Sequence, residues 1–376
     1  MDVARARADT PGCSQVLHFN NAGAALMPRP VLDAVVDHLH LESAIGGYEA
    51  ADAAAGAIER TYATLAELLG CTTDEIAVVE NATRAWDMAF YSFRFERGDR
   101  ILTARAEYAS NFIAYLQVAR HTGASVEAVP NDFTGQVSID ALESMMDDRV
   151  KLISMTHVPT NSGLVNPAEA VGRIARTWKV PFLLDACQSV GQLVTRVDDL
   201  GCDILSGTGR KYLRGPRGTG FLYVRKSLIE KLEPPFLDLH AAEWLQPDRY
   251  MIRGDARRFE NWESNVAGKI GLGVAVQYAL DIGLQSIQER VAALAEHFRC
   301  ELARVHSVTL PDPGQQRCGI VTFTLGDVSP EVVQQRLAAQ RINVTTSSRA
   351  STILDMDERQ LDKVVRASVH YYNTEE

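Results

Sequence analysis

Apolar positions along this chain recur in two rhythms, and their alternation predicts the fold. Short apolar runs bounded by polar or turn residues mark buried strands at Glu75–Val79, Arg100–Thr103, Ser125–Val129, Val150–Met155, Val180–Leu184 and Gly218–Val224. A shorter run, Asp203–Leu205, precedes the last of these. Between the runs, helical spacing covers Thr83–Phe93, Ser110–His121, Ile139–Met146 and Ala168–Trp178. This order predicts an α/β fold, a mostly parallel sheet with helices on both faces. Upstream, the turn-rich segment Asn20–Pro28 leads into a helix over 31–44. The sequence Ile45-Gly46-Gly47-Tyr48 breaks that helix, and another is expected over Ala51–Leu69. Beyond about residue 265 the rhythm changes. One long helical stretch covers Ile270–Leu302, followed by strand Gly319–Thr324 and helix Pro330–Ala339 with Ser329 as N-cap. Strands Ile342–Thr346 and Val365–Tyr371 complete a smaller α+β unit. The expected division is a large domain, 21–265, and a small domain made of 1–20 with 266–376.

In open parallel sheets ligands bind beyond the C-terminal ends of the strands. Thr83, Glu107, Thr156, Asp185 and Thr208 all follow apolar runs, which places them around one pocket. Asp185 ends the run at 180–184, and a carboxylate there is costly unless it meets a cation. The later run opens into Ser206-Gly207-Thr208-Gly209-Arg210-Lys211 and then Arg214-Gly215-Pro216-Arg217-Gly218. Small and hydroxyl residues let backbone N–H groups approach an anion. A partly desolvated lysine has its pKa lowered enough to form a Schiff base. An acid at one strand end and a lysine in a later loop suit pyridoxal phosphate (PLP), with the lysine on the aldehyde and the acid on the pyridine nitrogen. On spacing alone, a buried ion pair beside a basic surface loop stays open as the alternative.

Asp185-Ala186-Cys187-Gln188 followed by Thr208-Gly209-Arg210-Lys211 resembles the fold-type I PLP enzymes of the class V aminotransferase and cysteine desulfurase family, with matches from about residue 17 to the C-terminus. The resemblance implies that Lys211 and Asp185 are catalytic. It implies a phosphate site at Ala82, Thr83, Thr208 and Arg210, with arginine where desulfurases carry histidine. Tyr108 stands where the family stacks a histidine on the ring. Thr160 and Asn161 fall at the family's ring-contacting asparagine, and Gln188 at its glutamine near the phenolic oxygen. Arg366, in Val365-Arg366-Ala367-Ser368 ahead of Tyr371-Tyr372-Asn373-Thr374-Glu375-Glu376, matches the arginine that grips an amino-acid carboxylate. Asn21, Tyr48 and Arg349 complete the implied substrate contacts. A homodimer is also a family implication.

Two departures bear on the reaction. The segment Thr345-Thr346-Ser347-Ser348-Arg349-Ala350-Ser351 has no cysteine where desulfurases carry their persulfide-forming thiol, and Cys318 reads as structural. The family's Gly-Thr-x-Asn is here Trp262-Glu263-Ser264-Asn265, and Glu263 repels phosphate. With Gly46-Gly47-Tyr48 and Tyr108, these features resemble a branch that includes isopenicillin N epimerase-like proteins and hercynylcysteine sulfoxide lyase. The expected activity is a β-eliminating C–S lyase acting on a cysteine S-conjugate or sulfoxide, not a persulfide-forming desulfurase. A class V aminotransferase, an amino-acid epimerase and a catalytically idle binding protein are the alternatives.

Composition narrows this little. The 376 residues are 46% hydrophobic and 23% charged, ordinary for a globular protein with a large core. A net charge of −10 speaks against non-specific nucleic-acid binding. The N-terminal MDVARARADTPGCSQ has no apolar core of signal-peptide type, and no run approaches membrane-spanning length. Six scattered cysteines without CxxC pairs argue against zinc and a disulfide framework, so a reduced cytoplasm is the expected location and no membrane or metal partner is expected.

Overall fold

A computed structural model describes residues 1–375. Its centre is a seven-stranded sheet built from β1 (Ile76–Val79), β2 (Arg100–Ala104), β3 (Ser125–Val129), β4 (Val150–Thr156), β5 (Phe182–Asp185), β6 (Ile204–Thr208) and β7 (Gly220–Val224). The spatial order is β1-β7-β6-β5-β4-β2-β3. All pairings are parallel except those that β7 makes with β6 and β1. Both faces are covered, so the strands read as continuous apolar runs rather than alternating ones. Leu183 packs on one side with Ile101, Leu152, Ile204 and Leu222, while Phe182 and Leu184 face the other with Leu102, Met155 and Leu205. Each such side chain, fully buried, contributes about 1.5–3 kcal/mol.

Register at the C-terminal edge positions the site. Thr156 pairs with Asp185, and Asp185 with Ser206. Thr208 pairs with Gly220, which also pairs with Val79. The loop after β6 and the turn after β1 therefore emerge side by side. A Cβ on Gly220 would lie 2.4 Å from the Asn81 carbonyl carbon, so only glycine allows this approach.

The helices used below are α1 (Arg29–Ile45), α2 (Gly47–Ala53), α3 (Ala55–Leu69), α4 (Ala82–Phe90), α5 (Ala109–Thr122), α6 (Val266–Ile282) and α7 (Leu284–Ala303). Two expectations are corrected here. The helix break is Gly46 alone, at φ +101°, and helix resumes at Gly47. The long stretch Ile270–Leu302 is two helices bent by 80° at Gly283, whose φ is +94°. No single helix among the described residues is long and apolar enough to cross a membrane.

The C-terminal segment forms a four-stranded antiparallel sheet of β8 (Val308–Thr309), β9 (Ile320–Leu325), β10 (Thr345–Ser348) and β11 (Lys363–Ser368), in the order β8-β9-β11-β10. The expected strand Ile342–Thr346 is divided. Ile342–Asn343 pairs with Leu17–His18, and Thr345 begins β10. Arg366 lies mid-sheet, paired with Thr322 and Thr345. An antiparallel hairpin, Ala242–Gln246 with Arg249–Ile252, was not expected from the sequence; its residues are mostly exposed and have no core-facing run.

Candidate active site

The strand ends converge on a cavity of about 390 Å³. Asp185, 6% exposed, lies in its wall. Its Oδ1 accepts the Cys187 N–H at 2.9 Å, and its Oδ2 accepts from Asn111 Nδ2 at 3.1 Å. The expected cation is not its direct partner: no Lys, Arg or His among the described residues lies within salt-bridge distance. Neutral donors hold the carboxylate and leave lone pairs open to the cavity.

Lys211 sits three residues beyond the end of β6 and also lines the cavity. Burial pulls its ammonium below the ordinary lysine range, with Arg210 and Arg366 pushing in the same direction and Cys187 and Asp185 opposing. A desolvated amine is the form that attacks a carbonyl. The loop that carries it is fixed from behind. The Arg214 N–H donates to the Lys211 carbonyl at 2.9 Å, and the Arg214 side chain is buried against Tyr371 and Tyr372, 4.5 Å from the Tyr372 ring centroid. Its guanidinium bonds the Leu26 carbonyl and the Tyr371 hydroxyl. Arg214 thus braces the loop, and Arg214 through Gly218 do not line the cavity, a correction to their reading as part of an anion cradle.

One end of the cavity suits an anion. Asn81 caps α4 by accepting from the Arg84 N–H at 2.9 Å, and Asn81, Ala82 and Thr83 line the cavity. The first-turn N–H groups and the helix dipole favour negative charge there. Thr208 and Arg210 face the same space, with Arg210 Nη1 anchored on the Gly23 carbonyl. Tyr108, at the start of α5, lines the cavity with its ring 36% exposed. Gln188 donates to the Ala22 carbonyl at 3.1 Å, while its buried Oε1 has no partner.

At the other end stands Arg366, 8% exposed. Its Nη1 donates to Thr160 Oγ1 at 2.6 Å, and its Nε is buried without a partner. Burial lowers its pKa to about 10, which leaves it cationic at neutral pH. Among the described residues no carboxylate pairs with it. An uncompensated buried cation is strongly destabilising, so this site is suited to an anion from outside.

Four implied site residues lie elsewhere. Asn161 is fully buried and ties β10 down through Ser347, the Ser348 carbonyl and Thr352. Asn21 is fully buried between the Ser368 carbonyl and the Tyr372 hydroxyl. Arg349 is spent on Asp357 at the surface. Tyr48 is 73% exposed and lines a separate cleft with His240, Trp262 and Glu263. No residue of 345–351 lines the cavity, and neither Trp262 nor Glu263 does. Thr156 lines the cavity as its place after an apolar run predicts, whereas Glu107, expected with it, does not; the cavity also includes Ala22, Gly23, Asn111, Val158 and Cys187, which the sequence reading did not place there. Asn111 had a signal: it falls in the first turn of the helix that opens just after Glu107 and Tyr108 at the sheet edge.

A desolvated lysine, an acid with free lone pairs, a helix N-terminus and an orphaned glutamine oxygen fit PLP in one cavity. Fold and site together define a PLP-dependent enzyme of fold-type I. The chain belongs to the aminotransferase class-V family, whose model matches residues 17–376. It is 28% identical to a probable cysteine desulfurase of Methanothermobacter thermautotrophicus over 98% of this chain and 94% of that relative. It is 29% identical to a probable cysteine desulfurase of Halalkalibacterium halodurans, over 96% of this chain and 90% of that one. Among solved structures, the apo cysteine desulfurase from Thermococcus onnurineus NA1 superposes with a TM-score of 0.91 at 26% identity, covering 99% of this chain and 94% of that one.

These relatives overturn two expectations. A C–S lyase on cysteine conjugates was expected, with an aminotransferase, an epimerase and an idle binding protein as alternatives, and a persulfide-forming desulfurase was excluded; the two relatives and the Thermococcus onnurineus structure, each matching nearly the whole chain, are named cysteine desulfurases. The physical reason is that the exclusion rested on one segment, 345–351. Thr345–Ser348 are pinned in a sheet, Arg349–Ser351 form a short 3-10 turn, and all lie outside the cavity wall, so the composition of the segment says little about the chemistry inside.

Proposed function

We propose that this protein removes sulfur from L-cysteine. The observation that carries the reading is the unpaired Arg366 guanidinium facing the same cavity as Lys211 and Asp185, the arrangement that takes an α-amino acid by its carboxylate. The names of the relatives support cysteine as that amino acid.

When bound, PLP supplies an electron sink for carbanions at the substrate's α and β carbons. Lys211, held weakly basic by burial, carries the cofactor and then moves the proton at the substrate's α carbon. Asp185 would keep the proton on the ring nitrogen. Ala82, Thr83, Thr208 and Arg210 would hold the phosphate, and Tyr108 and Gln188 would line the ring. Arg366 orients the amino acid by a forked contact to its carboxylate.

The sulfur needs an acceptor. In the overall reaction a thiol takes the substrate's Sγ: the Cβ–S bond breaks, an S–S bond forms, and the electron pair left on carbon is protonated to give alanine. Holoenzyme incubated with L-cysteine and dithiothreitol should yield alanine and sulfide in equal amounts. Pyruvate and ammonia in place of alanine, or no turnover of cysteine, would refute the reading.

A homodimer is part of the same proposal. Trp244, Tyr250 and Met251 of the hairpin, with Tyr48 and Trp262, leave more than half of each side chain exposed, and apolar exposure on this scale supports self-association. Sedimentation equilibrium at the mass of one chain would count against it.

A further inference from the structure

Behind the cavity wall two buried acids share one amide. Glu107, in the turn between β2 and α5, is 2% exposed. It accepts five hydrogen bonds, all from neutral donors: Thr103 Oγ1 at 3.0 Å, the Tyr108 N–H at 2.9 Å, Asn111 Nδ2 at 2.8 Å, the Thr156 N–H at 3.0 Å and Thr156 Oγ1 at 2.5 Å. No cation among the described residues lies within salt-bridge distance of it. The same Asn111 Nδ2 is 3.1 Å from Asp185 Oδ2, so its two N–H bonds divide between the carboxylates. Asn111 is 3% exposed and is itself part of the cavity wall.

A carboxylate is an expensive way to fill space in a core. Five donors aimed at it specify an acceptor-only group, and the amide it fixes also donates to Asp185. We propose that Glu107 is a positioning residue for Asp185: through Asn111 it orients the Asp185 carboxylate toward the cavity, and its charge sets how firmly Asp185 keeps a proton on the ring nitrogen of bound PLP. The inference rests on the role given to Asp185 above and is independent of what happens to the substrate's sulfur.

The direction of the effect comes from Coulomb's law. A negative Glu107 favours a proton on the ring nitrogen beside Asp185, and a neutral group in its place disfavours it. Burial, reinforced by Asp185, moves Glu107 up to about 7, against the bonds from Thr156, Asn111 and Tyr108 that pull it down. Its charge is therefore poised near neutral pH. The other titratable groups facing this network are Tyr115 on α5, Tyr108 beside it, and Cys187, Arg210, Lys211 and Arg366 around the cavity.

The test uses holoenzyme loaded with PLP carrying 15N in the ring, whose chemical shift reports protonation of that nitrogen. Wild type should show a protonated nitrogen, and Asp185→Asn an unprotonated one. Glu107→Gln and Asn111→Ala should each bind one PLP per chain and lose the ring proton at lower pH than wild type, by roughly one pH unit. If Asp185→Asn leaves the nitrogen protonated, the role of Asp185 fails and this inference with it. If Asp185→Asn behaves as expected while Asn111→Ala titrates like wild type, the relay alone is wrong. Asn111→Ala decides the matter if Glu107→Gln does not fold.

Discussion

The two ends of the cavity are assembled differently. The cofactor end comes from the C-terminal ends of four strands: Asn81 to Thr83 after β1, Tyr108 after β2, Asp185, Cys187 and Gln188 from β5, and Thr208, Arg210 and Lys211 from β6. Sheet register fixes their spacing, so each residue's position derives from its place in a strand. The substrate end depends on a meeting of distant segments. Arg366 comes from mid-strand in the other sheet, and reaches Thr160 across 206 residues of sequence. The difference teaches where substitutions act. Changes at the cofactor end touch groups held by backbone geometry, and changes at the substrate end test which side chains arrive at all.

The largest effect should come at Lys211. Lys211→Ala removes both the anchoring amine and the proton carrier, and general acid–base catalysis alone accounts for about 10²–10⁴-fold in rate. Borohydride reduction of wild type, with peptide mapping of the product, should place the pyridoxyl label on Lys211. Label on Lys269, which instead lies against Tyr62 and Glu260, would move the cofactor end elsewhere.

Asp185→Asn should come next, keeping PLP because the phosphate contacts are untouched, and losing about 10²–10³-fold in kcat, as when one preorganised electrostatic group is removed. Near-normal turnover with bound PLP would take Asp185 out of the chemistry. Arg366→Lys keeps the charge and loses the fork. It should reduce kcat/KM for amino acids by about 1.5–3 kcal/mol, the range for a hydrogen bond to a charged group. Comparable activity on the decarboxylated amine would show that Arg366 does not read the carboxylate.

A smaller effect sharpens the contrast through stability. The pKa of Glu107 is raised on folding, so its contribution is fully present below the ordinary glutamate range, near pH 4, and is lost as pH rises through about 7. The melting temperature of the apo protein should fall more between pH 6 and pH 8 in wild type than in Glu107→Gln, by roughly the linkage of one titrating group. Identical pH slopes would contradict a raised Glu107. Smallest of all is Arg349→Ala, where the side chain ends on Asp357 at the surface. Its kcat/KM should match wild type, and a large loss would return residue 349 to the substrate end.

Much of the architecture was legible in the chain itself. Continuous apolar runs identify strands covered on both faces, and the residues just after each run lie at one edge of the sheet. Asp185, Thr208 and Lys211 could be placed from that rule and their residue chemistry. The break at Gly46 was read from its pair of glycines; Gly283 was less legible, because a single positive-φ residue bends a helix without disturbing its apolar spacing. Tertiary structure alone decided the rest. Asn21, Asn161 and Arg349 are polar residues in motif-like settings, but whether such a side chain faces a ligand or a neighbouring carbonyl depends on what packs against it. The amide shared by Glu107 and Asp185 joins a turn, a strand end and a helix, and nothing in local sequence encodes a distance between them. Periodicity is a local property and survives in one dimension. The pairing of buried polar groups is a property of the packed interior, where each donor must find its acceptor.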